Sequence, residues 1–273
     1  MDWPNPRVWA DRLRRSRRDS DSITFALVTI DSDDDLEGLR RAATVVKEAR
    51  QKMAVAVRPG ITTGELDAIG RDVFRRHGAR SAPRVTYRFP GATCISVNDE
   101  AAHGVPSLVR RLCEGDLVNL DVSAQLDGFY ADTGVSVPVG SVSAVADRLL
   151  VATRKAQGDA METALPGARM REVGRAVQRR ARRHGFRVIR NLCGHGIGRG
   201  LHEPPSVPSV DDRQRTRLHE GLVLAVEPFL SVSSSFVVDD PDGWTLRTSD
   251  GSLVAQHEHT MVVTVDGPLV LTR

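Results

Sequence analysis

The sequence predicts an α+β domain assembled from two similar units. Hydrophobic spacing runs as helices, strands, helices and strands again, and this repeated half is the main observation. No long linker or low-complexity block divides the chain after residue 30. At 273 residues the length suits one large domain or two small ones, and 40% hydrophobic content is enough for a core of Val, Leu, Ala and Ile.

Residues 1–27 read as an N-terminal extension and 28–273 as a single domain. The first 22 residues carry six arginines and two prolines but no apolar h-region, so they are not a secretory signal. A solvated, partly disordered arm, an RNA or ribosome contact and a transit peptide all remain open for it. ITFALVTI (23–30) predicts a strand. Asp31–Asp35 then leads acid into the positive end of a helix over 36–57, with Leu36, Leu39, Ala43, Val46 and Met53 at helical spacing. Pro59-Gly60 ends it, and Thr63 caps a second helix that stops near Gly78. From Val85 the period becomes that of strands, over 93–98 and 117–124. Asp127-Gly128 is a turn signal, and FYADTGVSVPV returns as the partner strand. Helices are expected over 142–164, capped by Ser141 or Ser143, and over 170–184. A buried strand at 221–229, a hairpin in VVDDPDGWTLRTSD and a strand in SLVAQHEHTMVVTVDG complete the order.

Composition excludes several classes. A net charge of +3, with acidic residues nearly balancing basic ones, does not argue for specific nucleic-acid binding. Three cysteines, Cys94, Cys113 and Cys193, lack C-x-x-C spacing, which points to a reducing, cytoplasmic compartment and away from disulfides or a zinc ribbon. No apolar run approaches the roughly 18–20 residues of a membrane helix.

The chemistry concentrates in a few places. In NLCGHGIGRGLHEP (191–204), four glycines alternate around His195 and His202. That many glycines make a poor helix and a poor regular strand, and suit a backbone that bends sharply or approaches something closely. The spacing is neither G-x-G-x-x-G nor a P-loop. Asp121 and Asp132 occupy the two arms of the 117–139 hairpin. They lie directly opposite if Gln125 pairs with Gly128 and diagonally if Leu126 pairs with Phe129, on one face in either register. Glu227 interrupts the apolar LAVEPF, and Glu258 lies in AQHEHT. Buried acids are rare without partners. Four carboxylates and one imidazole suit Mn, Fe, Co or Zn, and a charge near −4 balances two divalent ions. Such a pair can activate water for attack near neutral pH. His257-Glu258-His259 is not H-E-x-x-H, and the prolines after Glu203 rule out a helix there, which disfavours a zincin.

These motifs carry a resemblance. VRPGITTGELD (57–67), CISVNDEAAHGVP (94–106), LVNLDVSAQLDGFYADTGV (117–135), GHGIGRGLHEPP (194–205), LVLAVEPF (222–229) and GWTLRTSDGSLVAQHEHT (243–260) occur in order over about residues 28–272. Together they resemble the type I methionine aminopeptidases, metallopeptidases of the pita-bread fold. The resemblance implies two pseudo-symmetric α+β halves around a central antiparallel sheet, and a catalytic domain over 28–273. It implies two divalent ions (Co, Mn, Fe or Zn) held by Asp121, Asp132, His195, Glu227 and Glu258, with Asp132 and Glu258 bridging. Glu227 would also be the general base. His103 would contact substrate near the scissile amide, and His202 would steady the developing oxyanion. Phe89, Cys94, Leu201 and Trp244 would line the pocket for the methionine side chain. Thr86, Leu201 and His257 depart from the family's usual aromatics. The implied activity is removal of N-terminal methionine before a small second residue. The implied partners are nascent polypeptide N-termini, with ribosome association possible, acting as a cytoplasmic monomer. An Xaa-Pro-directed relative, a specialised paralogue and a non-enzymatic binding protein of the same fold are the alternatives. His77, His184 and His219 lack motif context and read as surface residues.

Overall fold

The computed structural model describes Ile30 and residues 32–273, so the extension 1–27 and most of the strand expected at 23–30 lie outside the described residues. Helix α1 (Asp33–Ala56) begins where the Ser32 hydroxyl accepts the Asp35 N–H at 3.1 Å, with Asp33, Asp34 and Asp35 in its first turn. Helix α2 (Thr63–His77) is capped by Thr62, one residue earlier than the sequence suggested. Thr62 and Glu65 close a capping box, and Gly78, at φ 66°, ends the helix in the left-handed region. Strand β1 (Arg80–Ser81) leads into a short helix α3 (Ala82–Tyr87) that the strand-like reading from Val85 did not anticipate. Its six residues show too little of a helical period to register.

Strands β2 (Cys94–Val97) and β3 (Glu100–Ala102) precede the hairpin of β4 (Leu117–Leu126) and β5 (Phe129–Pro138). Leu126 pairs with Phe129, placing Asp121 opposite Gly134 and Ser123 opposite Asp132. The two aspartates are therefore diagonal neighbours on one face, the second of the two possible registers. Helices α4 (Ala144–Thr163, capped by Ser143) and α5 (Met170–His184) follow, the latter with the bounds its spacing predicts.

The second run of strands is β6 (Arg187–Val188), β7 (Cys193–Gly196), β8 (Glu203–Pro208), β9 (Val223–Val226), β10 (Phe229–Ser231), β11 (Val237–Asp239), β12 (Leu246–Thr248), β13 (Val254–Gln256), β14 (His259–Thr264) and β15 (Gly267–Val270). Here three expectations change. The glycine-rich segment enters a strand after all, because β7 pairs with both β8 and β9. Its glycines serve close approach: a Cβ on Gly194 would strike the Ala225 carbonyl, and one on Gly196 the Pro204 carbonyl. The strand expected over 221–229 breaks into β9 and β10 at Glu227-Pro228. The strand in 252–267 likewise breaks into β13 and β14 at His257-Glu258. Both interruptions fall on candidate ligands. The expected hairpin is present as β11 and β12.

The described strands form four sheets. The first orders β1-β4-β2 with β5 on β4, and the largest orders β15-β14-β9-β7-β8. The first core packs α1 and α2 (Leu39, Val46, Met53, Leu66, Val73) against Leu120, Val122 and Ala131 of the β4–β5 hairpin. A second packs α4 and α5 (Leu149, Met161, Met170, Val177) against Leu224, Val226 and Met261 of the larger sheet. Each half thus lays a helix pair on one side of antiparallel strands, and the opposite sides of the strands meet. Backbone bonds stitch that seam: the Glu258 N–H donates to the Gly134 carbonyl at 2.8 Å, and the Tyr130 N–H to Gly198 at 2.8 Å. The Thr260 hydroxyl accepts the Asp132 N–H at 2.9 Å and donates to the Asp132 carbonyl at 2.8 Å. No helix among the described residues is long and apolar enough to cross a membrane.

Close packing at the hairpin tip makes one glycine indispensable. The Gly38 Cα of α1 rests on the Phe129 ring, where an added Cβ would overlap ring carbons, and the Arg199 guanidinium covers that ring at 3.8 Å. Gly38→Ala is expected to lose about 1–3 kcal/mol of stability through overpacking, read as a lower urea midpoint at an unchanged slope.

Candidate metal centre

The candidate ligands lie on the strand faces that meet at the seam. Asp121 and Asp132 come from β4 and β5, His195 from β7, and Glu227 and Glu258 from the breaks after β9 and β13. Donor atoms of Asp132, His195 and Glu258 all fall within 4.8 Å of one another, and all three residues are buried. Glu227 joins them, with its Oε1 3.4 Å from His195 Nε2. Asp121 closes the group through a side-chain hydrogen bond with Asp132. All five residues proposed from sequence are thereby brought together.

Burial and crowding raise the carboxyl pKa values. Burial is the main cause at every one. Asp121 is pushed from 3.8 to about 6. Asp132, Glu227 and Glu258 rise further above their ordinary values, each also repelled by neighbouring carboxylates of the group. Burial lowers His195 to about 4, so its ring is neutral.

The details fit a cation. His195 Nδ1 lies 2.9 Å from the Gly196 carbonyl, which can only accept, so the proton sits on Nδ1 and Nε2 presents a lone pair. That lone pair faces Glu227 Oε1 at 3.4 Å, so the imidazole and the carboxyl group turn ligand atoms toward the same space. Glu258 Oε1 is buried without a hydrogen-bond partner. Donors about 2.0–2.2 Å from one ion lie at most roughly 4.4 Å apart, close to the observed span. Hard carboxylate oxygens with one imidazole suit a divalent ion of the Mn, Fe, Co or Zn type.

Polar groups behind the ligands hold them, and sequence reasoning missed these. The Gln256 amide donates to Glu258 Oε2 at 3.0 Å and to Glu227 Oε2 at 3.3 Å. Its own carbonyl accepts from the Asn119 amide at 2.7 Å. Gln256 stands two residues before Glu258, and that strand-period spacing was the available signal. The Thr133 hydroxyl donates to the Glu258 carbonyl at 3.0 Å and accepts from Arg50 at 2.6 Å. Such outer partners fix ligand orientation.

The remaining predicted residues surround this cluster. His202 packs edge-on to His195, ring centres 4.2 Å apart. Its pKa is lowered by burial and then by His195 and His103. His103 is exposed at the rim with φ 56°, yet the surrounding protein still desolvates its ring and lowers its pKa. Phe89 and Trp244 meet edge to face at 5.2 Å. Cys94 pairs with Asp121 across β2 and β4, and burial, with Asp121 beside it, pushes its thiol up. Leu201 is 3% exposed and belongs to the first core. Thr86 is exposed, and the aromatic of that turn is its neighbour Tyr87, whose hydroxyl lies 2.6 Å from His202 Nδ1. His257 is half-buried with its Nδ1 unpartnered. His77 is exposed, while His184 and His219 are half-buried against backbone carbonyls.

The profile of metallopeptidase family M24 matches residues 37–265. The chain belongs to that family. It is 45% identical over 246 residues to methionine aminopeptidase 2 of Bacillus subtilis, covering 89% of this chain and 99% of that protein. The crystal structure of methionine aminopeptidase from Thermotoga maritima superposes with a TM-score of 0.86 at 33% identity, covering 90% of this chain and all of the other. That from Rickettsia prowazekii gives 0.86 at 35% identity over the same share. The α+β pita-bread architecture of the family is therefore the architecture of this chain, and the M24 chemistry is that of a divalent-metal hydrolase.

Metal and protons compete for these M24 carboxylates, which sets the sign of a pH test. A folded-state pKa of about 6 for Asp121, above its ordinary 3.8, means the metal-free fold binds the extra proton between those values. Without metal, the site's contribution to stability should therefore fall as pH rises from about 4 to about 6, and Asp121→Asn should flatten that segment. Denaturant midpoints of chelator-treated protein across pH 4–7 measure it. Affinity for Mn or Zn should rise over the same window.

Proposed function

We propose that this M24 protein is a methionyl aminopeptidase, removing N-terminal methionine from peptides and nascent proteins whose second residue is small. The meeting of Asp121, Asp132, His195, Glu227 and Glu258 at the seam carries the proposal. Relatives named methionine aminopeptidase, at 38–45% identity over most of the chain, support it. Asp121, Asp132, His195, Glu227 and Glu258 would hold the divalent ions, and the four carboxylates match two such ions in charge. Divalent ions, when bound, polarise the scissile carbonyl and lower the pKa of an attacking water.

The chain's own groups supply the rest. Glu227 takes the proton from water at Oε1, its Oε2 being tethered by Gln256. It then delivers that proton to the departing amide nitrogen. His103 donates to the substrate near the scissile amide. His202 donates to the carbonyl oxygen as negative charge develops there, in a pocket where burial strengthens such a bond. The Phe89–Trp244 pair and the uncharged Cys94 thiol form an apolar, polarisable wall suited to a thioether, with Leu201 behind it. The compartment proposed is the cytoplasm, the partners nascent chains at or near the ribosome, and the state a monomer.

Met-Ala-Ser should be hydrolysed with Mn, Co or Fe, and absence of turnover with all three would overturn the proposal. A panel including Xaa-Pro peptides separates it from a proline-directed activity. Glu227→Ala should lower kcat roughly 100- to 10,000-fold, as loss of a proton-transfer group does, and should weaken metal binding measured by calorimetry.

A further inference from the structure

We propose that Tyr87 is a positioning residue that fixes His202 in the tautomer carrying its proton on Nε2. The inference rests on His202 acting as the oxyanion donor, and it adds the group that makes the ring a donor.

Tyr87 is the last residue of α3, and the helix is held at both ends. The Ser81 hydroxyl donates to the Ala92 carbonyl at 2.7 Å, and Ser81 itself pairs with Ala124 of β4. At the other end Arg88 adopts φ 61° and its N–H closes onto the Arg84 carbonyl at 3.0 Å. The left-handed turn at Arg88 separates two aromatics with different duties: Phe89 against Trp244, and Tyr87 against His202. The Tyr87 hydroxyl reaches His202 Nδ1 at 2.6 Å, with the rings tilted by 44° and 5.5 Å apart.

A neutral imidazole has one donor nitrogen and one acceptor nitrogen, and the partner of one decides the role of the other. Two arrangements satisfy the short contact. If Nδ1 carried the proton, it would donate to the phenol oxygen, and Nε2 would turn a lone pair toward any oxygen beside it. Such a ring would repel a developing oxyanion. If the phenol donates, Nδ1 accepts and Nε2 carries the hydrogen. A phenol is a stronger donor than acceptor and a neutral imidazole nitrogen a strong acceptor, so the second arrangement is favoured. His195 illustrates the opposite setting a few ångströms away, where a carbonyl on Nδ1 leaves Nε2 bare. Two adjacent histidines of one segment are thus set to opposite tautomers by their Nδ1 partners, one to present a lone pair and one to present a hydrogen.

Long-range proton–nitrogen NMR of histidine-labelled full-length protein reads the tautomer directly, metal-free and zinc-loaded. His202 is assigned by the signal missing in His202→Ala. Wild-type protein should show His202 protonated on Nε2. In Tyr87→Phe that population should shift toward Nδ1, and kcat for Met-Ala-Ser should fall about 10-fold with KM changed less than about twofold. A wild-type His202 protonated on Nδ1, or a tautomer unchanged in Tyr87→Phe, would overturn the proposal. The first of these outcomes needs no variant to fold. Full kcat in His202→Ala would remove the oxyanion role of His202, while the NMR result on Tyr87 would stand by itself.

Discussion

Four carboxylates crowded into a buried seam repel one another, and the rest of the molecule answers that constraint. Water cannot screen them there, and taking even one carboxylate out of water without a partner costs several kcal/mol. Protonation relieves the crowd in one way, and bound divalent cations, the chemistry of the M24 family, relieve it in another. The fold contributes by making retreat impossible. Reciprocal bonds between Asp132 and Thr260, and the Glu258 N–H on Gly134, hold the ligand-bearing strands of both halves at contact distance. A Cβ at Gly134 would collide with the Gln256 side chain and crowd Glu258, so a glycine there is a condition of that approach.

Much of this was legible because burying charge is costly enough to be visible in a one-dimensional pattern. Glu227 inside LAVEPF and two aspartates on one hairpin face are anomalies that only a ligand set resolves. Helix α5 was bounded correctly because its apolar positions repeat for four turns between strong punctuation. Other features were not legible, for physical reasons. The hairpin register differs by one residue between alternatives that put both aspartates on the same face, so pattern alone could not choose. Helix α3 is shorter than the window in which a helical period can be recognised. The strands at Glu227 and Glu258 continue in sequence while the backbone breaks, because the ligand geometry overrides strand propensity there. Gln256 and Tyr87 look ordinary in the chain, since an uncharged side chain carries no signature of cost until its partner is known.

The two layers of the site divide their work by chemistry. Charged ligands face the seam, and neutral amides and hydroxyls stand behind them. Gln256 touches both Glu227 and Glu258 with one amide group, so the orientations of the proposed base and of Glu258 are tied together. Asn119 fixes the amide in turn, and Arg50 with Thr133 fixes the main chain of Glu258. Neutral partners orient without adding to the repulsion or neutralising the charge that a cation needs.

The backbone stitching of the seam also bears on how such a protein can change over time. Glu258, Asp132 and their strands are secured largely by main-chain groups, which any residue supplies. Phe89, Trp244 and Tyr87 come from separate loops and a short helix that take no part in that stitching. The pocket wall and the carboxylate cluster are therefore held by separate parts of the fold. Substitution of Phe89, Trp244 or Tyr87 can thus reshape the pocket wall without loosening the bonds that hold the carboxylates together.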